Sequence, residues 1–133
     1  MPWTQKTFTL KSRPRGFHLV TGEIVAALPE LAGIRTGLLH LFLQHTSASL
    51  TINENADPDV THDLTKKLSS LIPQNDEYRH AEGNSDSHLK ASLVGAQETI
   101  IINNGKLVLG TWQSIYFCEF DGPRSRKVFV KVV

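Results

Sequence analysis

The stretch TGLLHLFLQH, residues 36–45, limits the fold more than any other part of the chain. It is too short to cross a membrane, which takes about 20 apolar residues. Its nearly continuous apolar content predicts a strand buried on both faces. Side chains alternate along a strand, so Leu39, Leu41, Leu43 and His45 share one face and Leu38, His40 and Phe42 the other. Such a strand needs layers to cover it, and the flanking sequence offers both strands and helices.

TFTLKS alternates, with Phe8 and Leu10 on one side and Thr7 and Thr9 on the other, and predicts an initial strand. TGEIVAALPEL offers Thr21 as a cap and Ile24, Val25, Leu28 and Leu31 at helical spacing, disturbed late by Pro29. The clearest helix starts at Asp57. That residue is a good N-cap, Pro58 sits in the first turn, and Val60, Leu64, Leu68 and Leu71 form an apolar stripe that Pro73 ends. Asp86 or Ser85 is expected to cap a shorter helix with Leu89 and Leu93 on its apolar face and Gly95 as terminator. TIII, then Asn103, Asn104 and Gly105, then KLVLG read as a hairpin. WQSIYFCEF and RKVFVKVV finish the chain as strands. Without repeats or linkers, residues 1–133 form one domain of the α+β class: a mainly antiparallel, sandwich-like sheet with two or three helices.

The 14 basic and 13 acidic residues leave a formal charge of +1, which argues against a broad nucleic-acid-binding surface. The single cysteine, Cys118, has no internal partner and favours a reducing compartment. The N-terminal MPWTQKTFTL has no apolar run for a signal or a span, so a cytoplasmic protein without a membrane partner is expected.

Chemistry concentrates at the histidines. His45 ends an apolar strand, where a reactive group is both held and reachable. Asp57 is explained as a cap, whereas Glu54 has no structural explanation. His88 falls in the first turn of its helix, where the positive helix end disfavours an imidazolium, and a neutral ring suits a ligand or an electrophile. His80 lies too far from His88 for a helical metal pair, but Gly83, Asn84 and Ser85 let the chain fold back. Convergence of His45, His80 and His88 with one open position would describe a catalytic zinc or related divalent site, with Asp86 as a supporting partner of the ligands or a ligand itself. His62 falls off the apolar stripe, His40 points away from His45, and His18 has no evident place. In EFDGPRSRK, Asp121, Gly122 and Pro123 read as a turn, while Arg124 and Arg126 have the chemistry to bind phosphate. No phosphate-cradling glycine motif occurs, and Cys118 reads as a packing residue.

HTSASLTINENADPDV, YRHAEGNSDSHLKASLVG, GKLVLGTWQSI and EFDGPRSRK, in this order across nearly the whole chain, closely resemble the YjbQ family, also called UPF0047 or secondary thiamine-phosphate synthase enzymes. The resemblance implies an α+β sandwich-like fold assembled as a homotrimer. It implies His45, His80 and His88 as metal ligands. It adds Asn53, Glu54 and Asn55, Asp86, Trp112 and Gln113, and Arg124 as cleft residues. GAQET after Gly95 departs from the family's usual turn.

The activity implied is thiamine-phosphate synthase-like: joining a pyrimidine diphosphate to a thiazole phosphate with loss of diphosphate. Arg124 or Lys90 would hold phosphate, Glu54 would move a proton, and a divalent metal would stabilise the leaving group. Histidine ligands favour zinc, and Mg²⁺ would enter with the substrate diphosphate. Two other classes fit the same residues: a metal-dependent hydrolase of a small metabolite, and a non-catalytic metabolite- or anion-binding protein.

Overall fold

The computed structural model describes residues 4–133; the first three residues of the N-terminal segment lie outside the described part. Among the described residues, eight strands form two antiparallel sheets. The larger contains β1 (Thr4–Leu10), β8 (Arg126–Val132), β3 (Thr36–Leu43), β5 (Gln97–Asn103) and β6 (Lys106–Leu107), in that order. The smaller contains β2 (Gly16–Leu19), β7 (Gln113–Glu119) and β4 (Ala48–Glu54). Between the sheets lies the main core. Leu39, Leu41 and Leu43 of β3 and Val128, Val130 and Val132 of β8 meet Leu50, Ile115 and Phe117 of the smaller sheet.

The expected α+β sandwich is therefore present, but the strand buried on both faces is β7, not β3. In β3 only alternate residues are buried, and Leu38 and Phe42 on the outer face stay 37% and 47% exposed. β7 is central in its sheet. Ile115 and Phe117 face the core, while Cys118, with Ala91 and Phe120, forms a second small cluster under the helices. Burial pushes the Cys118 thiol up, with Glu98 adding to the effect, so it stays a neutral packing group.

Three helices and a 3-10 turn are also present among the described residues: α1 (Thr21–Ala26), the turn Pro29–Gly33, α2 (Pro58–Leu71) and α3 (Ser85–Val94). Pro29 ends the first helix by opening the 3-10 turn. Thr21 is not its cap; the residue before it, Val20, holds that position, and Thr21 Oγ1 accepts from the Ile115 amide at 2.8 Å. Asp57 does cap α2, accepting from the Asp59 amide at 2.9 Å. In α3, Asp86 and Ser85 lie inside the helix, and Asn84 precedes it without a side-chain capping bond. Gly95 ends it at φ 101°, a conformation that favours glycine.

The expected apolar face of α3 is reversed. Leu89 and Leu93 are 47% and 65% exposed, while Ser85, Asp86, Ser87, Lys90 and Ala91 are buried. Ser87 Oγ donates to the Phe120 carbonyl at 2.6 Å, and Ser49 Oγ donates to the Ala91 carbonyl at 3.3 Å. Polar bonds to β4 and to the end of β7 outweigh the leucine pattern. The Asn104–Gly105 turn forms as expected, with φ 49° and 76°. Strands β2 and β4 carry no strong apolar signature, and the polar text of β4 conceals its pairing with β7. No helix among the described residues is long and apolar enough to cross a membrane.

Candidate functional site

One end of the sandwich is closed by charge. Arg126 on β8 and Glu119 on β7 both point inward, 5% and 0% exposed, and pair through Nη2–Oε2 at 2.6 Å and Nε–Oε1 at 2.9 Å. Arg126 also donates to Ser47 Oγ at 3.0 Å. Glu119 Oε2 in turn accepts from the Asp121 amide at 3.1 Å, which ties the 121–124 loop to the pair. A Cβ on Gly122 would overlap the Glu119 side chain and the Arg13 carbonyl, so glycine is required by this close approach.

Above this base opens a cleft of about 450 Å³ that contains all three predicted histidines. Gln44, Thr46, Asn84, Asp121 and Arg124 also line it. His80 and His88 meet edge to face with ring centroids 5.3 Å apart. Each of two rings has a fixed tautomer. His88 Nδ1 lies 3.0 Å from the Thr46 carbonyl, an acceptor, so Nδ1 holds the proton and Nε2 keeps a lone pair. His45 Nε2 accepts from the Lys127 amide at 2.8 Å, so its proton is on Nδ1. Burial, then the nearby Arg126 and Lys127, hold the His45 ring below the ordinary histidine value, against an opposing pull from Glu119.

Asp121 organises the basic side of the cleft. Its Oδ2 accepts from Asn84 at 2.7 Å and from Arg124 Nη2 at 3.0 Å, and its Oδ1 accepts from Arg15 at 3.3 Å. Burial pushes its carboxyl up, but the Asn84 amide and the two guanidinium groups outweigh that and hold it below the usual range. Arg124 is 55% exposed, whereas Arg126 is consumed by Glu119. Of the two predicted phosphate-binding arginines, Arg124 alone is available. By sequence Asn84 and Asp121 read as turn residues, since their role depends on a bond between distant loops.

A three-histidine metal centre needs three ring lone pairs aimed at one point. Among the described residues, no group of three or more His, Cys, Asp or Glu side chains is so arranged. The His45 Nε2 lone pair is occupied by Lys127. The implied triad therefore does not fit one ion within a single chain.

The other predicted residues fall elsewhere. Asp86 and Lys90 pair at 3.1 Å on the buried side of α3, facing a different cavity. Asn53 and Glu54 end β4, opposite Ser114 and Gln113. Asn55 donates to Ser114 Oγ at 2.6 Å, and its amide donates to the Trp112 carbonyl at 2.9 Å. Gln113 Oε1 accepts from the Gly110 amide at 2.8 Å, and Trp112 is 60% exposed. The histidine cleft adjoins the Ala48 end of β4. At about 3.3 Å per residue, Glu54 lies about 20 Å along the strand from that end. Glu54 therefore lies outside the histidine cleft of its own chain. His18, His40 and His62 are also outside the cleft, bonded to the Pro14 carbonyl, Thr99 and Asp63.

Fold and cleft together define a class: a small α+β sandwich protein with a histidine- and arginine-lined polar cleft at one end. The family model described as UPF0047 protein YjbQ-like matches residues 6–133. The chain belongs to that family. It is 52% identical to a UPF0047 protein of Methanocaldococcus jannaschii, covering 86% of this chain and 82% of that one. It is 46% identical to UPF0047 protein YugU of Bacillus subtilis, covering 96% and 98%. The crystal structure of an uncharacterised YjbQ/UPF0047 protein of Clostridium acetobutylicum superposes with a TM-score of 0.88 at 50% identity, covering 96% and 99%.

Proposed function

We propose that the histidine cleft binds a small phosphorylated metabolite and carries a thiamine-phosphate synthase-like transfer, joining a pyrimidine diphosphate to a thiazole phosphate. The observation that supports it is the opposite polarity of two imidazoles in one cleft. His45 holds its proton on Nδ1 and acts as a donor; His88 keeps the Nε2 lone pair and acts as an acceptor. Arg124 adds a guanidinium to the same cleft. Donors of this kind stabilise charge as it develops on the leaving diphosphate, the thiazole nitrogen, which carries no proton, forms the new C–N bond, and the His88 lone pair accepts a hydrogen bond from a substrate amino or hydroxyl group.

No step of this reading runs through a metal ion. Zinc between His80 and His88 is a separate proposal, tested by elemental analysis after zinc addition, with His88→Ala expected to release the metal. A homotrimer is also part of the proposal. It is supported by the apolar row Leu38, Phe42 and Ile101 on the outer face of the larger sheet, with Leu38 and Ile101 paired directly across β3 and β5. Sedimentation of the protein tests it.

The synthase reading is tested by an assay that supplies both thiamine precursors and detects thiamine phosphate. Arg124→Ala is expected to lower the rate by about 10²-fold, and His88→Ala by about 10²-fold or more. No product from the native protein, or an unchanged rate in His88→Ala, would overturn it.

A further inference from the structure

The most regularly patterned helix of the chain stands over open space. α2 turns Val60, Leu64 and Leu68 toward the smaller sheet, yet no residue of the helix is buried. These side chains line a cavity of about 540 Å³ whose other walls include Phe17, Thr51 and Val94. A second cavity of about 250 Å³ continues from it, since Phe17 and Leu68 line both.

The second cavity is polar at its far side. Asp86 there is 0% exposed. Its Oδ2 accepts from Lys90 Nζ at 3.1 Å and from Arg15 Nη1 at 3.4 Å, while its Oδ1 has no hydrogen-bond partner. A buried carboxylate oxygen left without a donor is destabilising. Native proteins rarely retain one without a use. The residue that carries this unpartnered oxygen lines a cavity that leads to an apolar wall.

We propose that this two-part cavity binds a neutral small molecule with an apolar body, whose polar end donates an N–H or O–H hydrogen to Asp86 Oδ1. The charges around the site disfavour a cationic ligand, and an anionic end has no hydrogen to donate to Oδ1. Asp86 is paired with Lys90, Glu119 with Arg126 and Asp121 with Arg124, and Arg15 bridges Asp86 and Asp121. A cationic head would add an unbalanced buried charge, which is costly, whereas a primary amide or an amino group on an aromatic ring adds none. Phe17 and Phe120, packed edge to face with centroids 6.3 Å apart, line the polar cavity and favour an aromatic ring there. The site shares no lining residue with the histidine cleft, so it stands or falls independently of the synthase reading.

A matched pair of probes tests it on the full chain: 4-butylbenzamide, which donates N–H, and methyl 4-butylbenzoate, which does not. Calorimetric titration should show saturable binding of the amide, about tenfold tighter than the ester, as one hydrogen bond to a charged group predicts. Leu64→Trp fills the apolar half and should weaken amide binding by about tenfold or more. Asp86→Asn should bring the two probes close to equal affinity. If that variant proves unfolded by circular dichroism, Leu64→Trp and the amide-to-ester ratio of the native protein decide the matter. Equal affinity of the two probes for the native protein, absence of saturable binding, or undiminished amide binding in Leu64→Trp would overturn the proposal. So would a change in oligomer mass on Leu64→Trp, because a second copy of the chain would then cover the groove.

Discussion

The two long helices invert what their sequences advertise. α2 has a clean apolar stripe and a good cap, yet buries nothing completely. α3 has a weak pattern, exposes both its leucines, and buries Ser85, Asp86, Ser87, Lys90 and Ala91. The difference lies in what each helix faces. α3 lies against β4 and the end of β7, where hydrogen bonds to carbonyl groups hold it close. α2 faces a cavity, and its apolar residues line that space without filling it. A hydrophobic stripe says which side of a helix avoids water; it does not say that a packed layer awaits it.

The largest effect that can break this contrast is expected at Asp86. Asp86→Ala leaves Lys90 buried without its nearest partner, and should cost about 3–5 kcal/mol in urea unfolding. A cost near that of an exposed substitution would mean that α3 is not anchored by its polar side. Next comes Ser87→Ala, which strips the donor from the buried Phe120 carbonyl and should cost about 1–2 kcal/mol. Leu64→Ala on α2 should cost no more than about 1 kcal/mol, because the leucine is only half-buried beside a cavity. Equal costs for Ser87→Ala and Leu64→Ala by the same denaturation would erase the distinction between the helices. Leu93→Gln, on the exposed side of α3, is expected to shift stability by less than about 0.5 kcal/mol.

A smaller effect of pH sharpens the comparison at the cleft that α3 borders. The folded state lowers the His45 pKa, first by burial and then through Arg126 and Lys127. The unfolded chain therefore binds more protons just below pH 6.5, and stability rises with pH through that window. The melting temperature should fall between about pH 7.5 and about pH 5.5. His45→Gln should flatten part of that slope, and an unchanged profile would show that the ring does not feel the buried pair.

Much of the architecture was legible in local patterns. The apolar run 36–45, the Asn-Gly turn and the terminal alternation of Val128, Val130 and Val132 each predicted strands that form. β4 was hidden, because a strand bonded to β7 and covered by α3 can be built from Ser, Thr and Asn. The gathering of His45, His80 and His88 was likewise anticipated, through motif spacing as much as through chemistry. The tautomers of His45 and His88 are not legible in the sequence, since each is set by a backbone group more than 40 residues away.

By itself the sequence determined the periodic elements, the cap at Asp57, the glycine stop at Gly95 and the family, all of which depend on near neighbours or on the linear order of motifs. Only the tertiary structure decided which face of each element is buried, which arginine remains available, and where Asp86 points. Those outcomes depend on whether a polar group finds its partner across the fold, and the partners of Arg126, Asp86 and Asp121 come from separate loops and strands.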